Sequence, residues 1–143
     1  VLESLKAARS GIVTAQDYVR LGFRCQVHGA PKIDAESLVD RRAMRFHGGG
    51  TAWNHIAMDQ AIADAGLEEG ETSNARTGII MGSGGPSTKA IVESADITRE
   101  KGPKRVGPFA VPKAMCSTAS ATLATNFKIK GVNYSISSAC ATS

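Results

Sequence analysis

The segment Thr77-Gly78-Ile79-Ile80-Met81 is short, apolar and flanked by glycine, the pattern of a fully buried strand. Before it lies a run with helical periodicity, Ile56, Asp59-Gln60, Ala63 and Ala65, closed by Gly66 as its C-cap. The polar stretch from Gly70 to Ala75 separates the two. Helix, loop and buried strand in that order point to an α/β layered fold.

The rest of the chain extends this pattern. Leu2, Leu5 and Ala8 recur at helical spacing, so the first residues read as the tail of a helix ending near Ser10-Gly11. From Ala35, a helical run through Leu38, Val39, Met44 and Phe46 is expected to be interrupted by Gly48-Gly49-Gly50. Residues 87–100 read as a helix started near Ser87 or Thr88 and stopped by Lys101-Gly102-Pro103. Lys113 to Thr125 is rich in Ala, Ser and Thr, which predicts a buried helix packed closely on a neighbour, since small side chains permit close approach. Val132-Asn133-Tyr134-Ser135-Ile136 alternates apolar and polar residues, reads as a strand, and runs directly into Ser137-Ser138-Ala139-Cys140.

An apolar fraction of 42% over 143 residues supplies a real core for one domain or a piece of one. Val1 lacks an initiator methionine and Ser143 closes a run of small residues, so a fragment is expected. No apolar stretch approaches the roughly 20 residues of a membrane-spanning helix, and the start does not resemble a signal peptide. Cys25, Cys116 and Cys140 are odd in number and far apart, which suits free thiols and a cytoplasmic location. The net charge of +4 gathers into two clusters, Arg41, Arg42 and Arg45, and Arg99, Lys101, Lys104 and Arg105. Such clusters fit either an acidic partner or ordinary solvated charge.

A cysteine just after a strand, among Ser, Ala and Thr, sits on a tight turn that delivers its thiol to the start of the next helix. There the unpaired N–H groups and partial positive charge favour thiolate, and the cysteine N–H can help hold an oxyanion. The alternative for Cys140 is a small buried hydrophobe, and the residues alone leave both open. Gly82-Ser83-Gly84-Gly85 lacks the fingerprints of phosphate-binding loops, so a tight loop that lets another backbone come close is the better expectation. His28, His47 and His55 have no partners at metal-ligand spacing, and read as surface or satisfied side chains with no metal. Asp59 and Asp64 lie on the predicted helix without an evident partner, and no acid/base role is assigned to them.

The run Gly131-Val132-Asn133-Tyr134-Ser135-Ile136-Ser137-Ser138-Ala139-Cys140-Ala141-Thr142-Ser143 resembles the nucleophile segment of the type I β-ketoacyl-acyl-carrier-protein synthases. The resemblance extends through Gln60-Ala61-Ile62-Ala63-Asp64-Ala65-Gly66-Leu67, Gly82-Ser83-Gly84-Gly85, Val106-Gly107-Pro108 and Lys113-Ala114-Met115, and so over most of the chain. It implies that residues 1–143 are part of the N-terminal half of a thiolase-like αβαβα layered fold, a partial N-terminal β-ketoacyl synthase domain truncated at both ends. It further implies a cytoplasmic homodimer of fatty-acid synthesis. In that family a cysteine takes an acyl group from acyl carrier protein, and decarboxylation of malonyl-carrier protein supplies the carbanion that attacks the thioester. Covalent catalysis splits one hard condensation into two easier steps.

By the resemblance, Cys140 is the acylated nucleophile, Met115 and Gly85 line the acyl pocket, and Arg24, Arg42, Arg45, Lys101 and Lys104 contact the acidic carrier protein. No cofactor is implied beyond the phosphopantetheine that carries the substrates. The two histidines, lysine and gating phenylalanine of the family's second half match nothing here, so the piece alone is expected not to condense substrates. Pro86 replaces a glycine of the family pattern, a departure that bears on pocket shape and chain-length preference. The rivals are a synthase II or polyketide ketosynthase piece, a non-catalytic protein with an inert Cys140, and a nucleic-acid module. The last is weak, because only scattered aromatics accompany the charge.

Overall fold

The computed structural model describes residues 2–142, and the chain divides into two compact units between Asp34 and Ala35. In the first unit, α1 (Leu2–Lys6) is followed by β1 (Ile12–Thr14), α2 (Gln16–Arg20) and β2 (Val27–Gly29). β1 and β2 pair antiparallel, with Val13 opposite His28. Tyr18 of α2 packs against Phe23 and His28, at ring-centroid distances of 5.1 and 5.6 Å, and the short hairpin closes over buried Ala15. The helix read at the amino end is α1; the strands, each three residues long, are too short to carry a readable alternation.

The second unit opens with α3 (Ala35–Leu38) and α4 (Arg41–Met44). The single helical run expected here is broken at Asp40, whose Oδ1 accepts the N–H groups of Arg42 at 2.8 Å and Ala43 at 3.3 Å and so restarts the chain as a new helix. Next comes α5 (Gly49–Asp64), and the glycines begin it rather than interrupt it, with extended Gly48 as N-cap. A β-carbon on Gly48 would lie 2.9 Å from the Lys113 carbonyl oxygen and 3.2 Å from Ser87, so this crossing of three segments admits no side chain. At the far end Gly66 takes φ +66°, while Leu67 N–H bonds Ile62 O and Gly66 N–H bonds Ala63 O. That is a Schellman closure, one residue past the Ala65 cap.

After α6 (Glu69–Thr72) come β3 (Ile79–Gly82), α7 (Thr88–Lys101), a 3-10 turn at Pro103–Arg105, α8 (Ala110–Ala114), α9 (Thr118–Asn126) and β4 (Asn133–Ile136). Ser87 caps α7 by accepting the Ala90 N–H, and Gly102 ends it, as expected. The helix expected from Lys113 to Thr125 is instead two pieces. The backbone turns extended at Met115, and the Thr118 hydroxyl donates to the carbonyls of Met115 and Pro112 to start α9.

β3 and β4 pair in parallel, from Ile79 opposite Asn133 to Gly82 opposite Ile136. The small-residue face of α9 lies on this pair, burying Thr118, Ala119, Ser120, Leu123 and Ala124. Leu123, fully buried, forms a core cluster with Ile79 and Ala124, against which Met58, Met81, Phe127 and Ile129 pack. Removing such a side chain costs about 2 to 5 kcal/mol. The Asn133 amide donates to Ser120 O at 3.1 Å and ties β4 to the helix. β3 departs from the fully buried strand expected: Ile79 is 6% exposed but Ile80 is 63% exposed, because α9 covers only one face. Among the described residues, no helix is long and apolar enough to cross a membrane.

Candidate active site

β4 delivers the chain into a tight structure at its carboxyl end. Ser138 leaves the extended conformation of the strand, with φ −141° and ψ 43°, Ala139 takes the left-handed φ of +48°, and residues Ala139–Ala141 form one 3-10 turn. Alanine reaches that region only at a cost of about 1 to 2 kcal/mol, so the neighbours must hold it there. Three contacts do so: Ala141 N–H donates to Ser138 O at 3.0 Å, the Thr142 hydroxyl donates to Ala139 O at 2.7 Å, and it accepts from Ser138 N–H at 2.8 Å. Cys140 sits at the crest of this turn, exposed and unbridged. A longer helix beginning at Cys140, as expected from the sequence, would fall outside the described residues.

Gly82-Ser83-Gly84-Gly85, leaving β3 at the same level, is the floor on which the turn rests. A β-carbon on Gly84 would lie 2.8 Å from Ala139 O, and one on Gly82 would overlap the Thr142 methyl. The loop is therefore the close-approach device expected, with glycine required by the neighbouring backbone. Its internal brace is Ser83, whose N–H bonds Ile136 O at 3.1 Å and whose hydroxyl donates to Gly85 O at 2.7 Å.

Gly85 and Met115 come together: both line a cavity of about 340 Å³ with Ser83, Pro86, Cys116 and Ala119. A β-carbon on Gly85 would meet nothing within 4 Å. Met115 also borders a larger cavity of about 760 Å³, between α4, α5 and α9. The basic residues are dispersed. Arg45 lines a third hollow with Arg41, Lys89 and Lys113, and is exposed, as is Arg42. Lys101 ends α7, Lys104 lies in the following 3-10 turn, and Arg24 is an exposed loop residue of the first unit.

Of the three histidines only His47 departs from the surface or satisfied position expected; His28 and His55 are half-buried, and His55 Nδ1 lies 3.4 Å from the Asn126 amide. His28 is in β2, while His47 and His55 stack edge to face at 5.3 Å on the wall of the larger cavity. His47 is buried, its Nδ1 2.5 Å from Ala43 O, and its Nε2 has no partner among the described residues. Burial holds its pKa below the ordinary histidine value, against the Ala43 carbonyl, which raises it. Burial likewise lowers His55, against the pull of Asp59 and Asp40. The N–H groups of Arg42 and Ala43 lower the Asp40 carboxyl. Asp59 thus does have a neighbour, one helical turn from His55. No group of three or more His, Cys, Asp or Glu side chains among the described residues is arranged to hold a metal ion.

Residues 28–143 match the family described as beta-ketoacyl synthase, N-terminal domain. The chain is 51% identical over 145 residues to the 3-oxoacyl-acyl-carrier-protein synthase 1 of Escherichia coli (strain K12), and 46% identical over 144 residues to that of Haemophilus influenzae. Each alignment covers 100% of this chain and 36% of the relative, so the chain spans about a third of the length of these proteins. Among solved structures, a β-ketoacyl synthase from Burkholderia phymatum superposes with a TM-score of 0.78, at 22% identity, over 98% of this chain and 35% of that one. The ishigamide ketosynthase/chain length factor superposes at 0.77, over 94% of this chain and 34% of the other. The α/β arrangement is thus that of the thiolase-like condensing enzymes.

Proposed function

Because the chain belongs to the β-ketoacyl synthase family, we propose that Cys140 is the acyl-accepting nucleophile of a 3-oxoacyl-acyl-carrier-protein synthase of fatty-acid biosynthesis. The exposed thiol at the crest of a braced turn carries this proposal: it is open to an incoming thioester and fixed in place. The thiolate attacks the thioester carbonyl of an acyl-carrier protein, the carrier's thiol leaves, and a Cys140 thioester remains. Malonyl-carrier protein then loses CO₂, its carbanion attacks that thioester, and the thiolate is released with formation of 3-oxoacyl-carrier protein. The Cys140 N–H supplies one donor to the oxyanion that forms in both steps.

The acyl chain extends from Cys140 toward the cavity shared by Gly85 and Met115. The carrier protein is acidic and docks on Arg24, Arg42, Arg45, Lys101 and Lys104, where charge complementarity speeds encounter more than it deepens affinity. The substrates ride on phosphopantetheine, and the enzyme has no cofactor of its own. It works in the cytoplasm as a homodimer.

Labelling of the full-length protein with cerulenin, followed by peptide mapping, tests the assignment. The label is expected on Cys140, and radiolabelled malonyl-carrier protein is expected to yield 3-oxoacyl product that the labelled enzyme no longer forms. A label elsewhere, or product formation after Cys140→Ala, would overturn it.

A further inference from the structure

Thr142 performs two tasks with one hydroxyl. It accepts the Ser138 N–H and donates to the Ala139 carbonyl, bridging the residues on either side of the left-handed φ at Ala139. Without that bridge only the Ala141 N–H bond to Ser138 O is left to hold an alanine in the left-handed region, and an extended or right-handed Ala139 would point Cys140 elsewhere. The methyl of Thr142 is fixed as well, because it occupies the space that a side chain at Gly82 would fill, with the Thr142 carbonyl 2.9 Å from the same point. Gly82 is the last residue of β3 and pairs with Ile136, so the clamp is referred back to the sheet.

We infer that Thr142 and Gly82 form a positioning unit for Cys140, in which the hydroxyl locks the turn and the missing side chain seats the methyl on the sheet. This rests on Cys140 being the acyl-accepting group. Thr142 touches no reacting atom; it acts by holding the direction of the thiol. Serine keeps both hydrogen bonds and loses only the methyl, whereas valine keeps the shape and loses both bonds. Alanine at position 82 attacks the same unit from the opposite side.

The three cysteines provide the readout. In the full-length protein, cerulenin labelling of Cys140 is followed by peptide mapping, and iodoacetamide labelling of exposed Cys25 and half-buried Cys116 reports on the rest of the fold. Thr142→Val is expected to slow cerulenin labelling by about tenfold or more, the scale of a reacting group misplaced by a fraction of an ångström. Thr142→Ser is expected to stay within about threefold of the parent, and Gly82→Ala to match the valine variant without adding to it when the two are combined. Cys25 and Cys116 are expected to keep their rates in every variant. Equal labelling of parent and Thr142→Val would overturn the inference, as would equal failure of serine and valine. So would a Cys116 that becomes fast in both Thr142→Val and Gly82→Ala, since Thr142 would then simply hold the fold together. A parent protein whose Cys140 takes no label refutes the catalytic assignment instead.

Discussion

Gly84 lies so close beneath Ala139 that a single added carbon would stand 2.8 Å from the Ala139 carbonyl oxygen. At this point the glycine loop and the cysteine turn therefore meet backbone to backbone. Gly84→Ala must move one of them, and overpacking of this kind costs about 1 to 3 kcal/mol. The expected result is a lower melting temperature together with slower acylation of Cys140, read by thermal melts and by labelling.

Gly85, one residue on, is expected to behave oppositely. An added β-carbon there meets no atom within 4 Å and enters the cavity bordered by Met115. Gly85→Ala should leave the melting temperature within about 2 °C, since the added carbon meets open space and substitutions that disturb no contact rarely exceed ±0.5 kcal/mol. It should reduce turnover of long acyl donors more than of short ones. Assay of the full-length enzyme across a series of acyl-carrier proteins checks this.

His47 and His55 are both held below the ordinary value of 6.5 by burial, so the unfolded chain binds more protons than the folded one just below that pH. Their contribution to stability is complete above about pH 6.5 and is lost as pH falls through the lowered folded values. Melting temperature should therefore fall on acidification through this window. His47→Phe should flatten the slope, even though loss of the Ala43 hydrogen bond lowers the plateau. An unchanged slope would leave His47 outside the response.

Charge reversal at Arg45 and Lys104 in the full-length protein should weaken binding of acyl carrier protein several-fold at low salt. The difference should shrink as salt rises, because exposed charges are screened beyond about 8 Å at physiological ionic strength. Titration at two ionic strengths measures this, and equal affinities at low salt would remove both residues from the docking surface.

Much of this architecture was legible because the decisive signals are local. Ser87 and Gly102 mark the two ends of α7, and the alternation from Val132 to Ile136 marks β4. The run of small residues after Ile136 announced a tight turn at Cys140. What escaped was set by tertiary contact. Gly48 looks like a helix breaker until Lys113 and Ser87 are seen pressing on it, and Ile80 looks buried until only one face of β3 is covered. His47 and His55 meet across two elements, so no spacing rule pairs them. Thr142 carries no local signal, because a threonine among small residues gives no sign that its hydroxyl closes the turn before it. The capping signal at Asp40 was available, but the continuous apolar periodicity around it masked the break.

The parallel register of β3 and β4 sets both strand ends at one height, with Gly82 opposite Ile136. A slip of one residue would carry the cysteine turn about 3.3 Å away from the glycine floor, so the ladder acts as a gauge. The intervening stretch, residues 83–132, has no such duty along its α7-to-α8 surface portion. Doubling the length of a flexible loop there adds only about 0.6 kcal/mol of closure entropy. This is where an inserted peptide should leave the direction of the thiol unchanged, even where it interferes with carrier docking at Lys101 and Lys104.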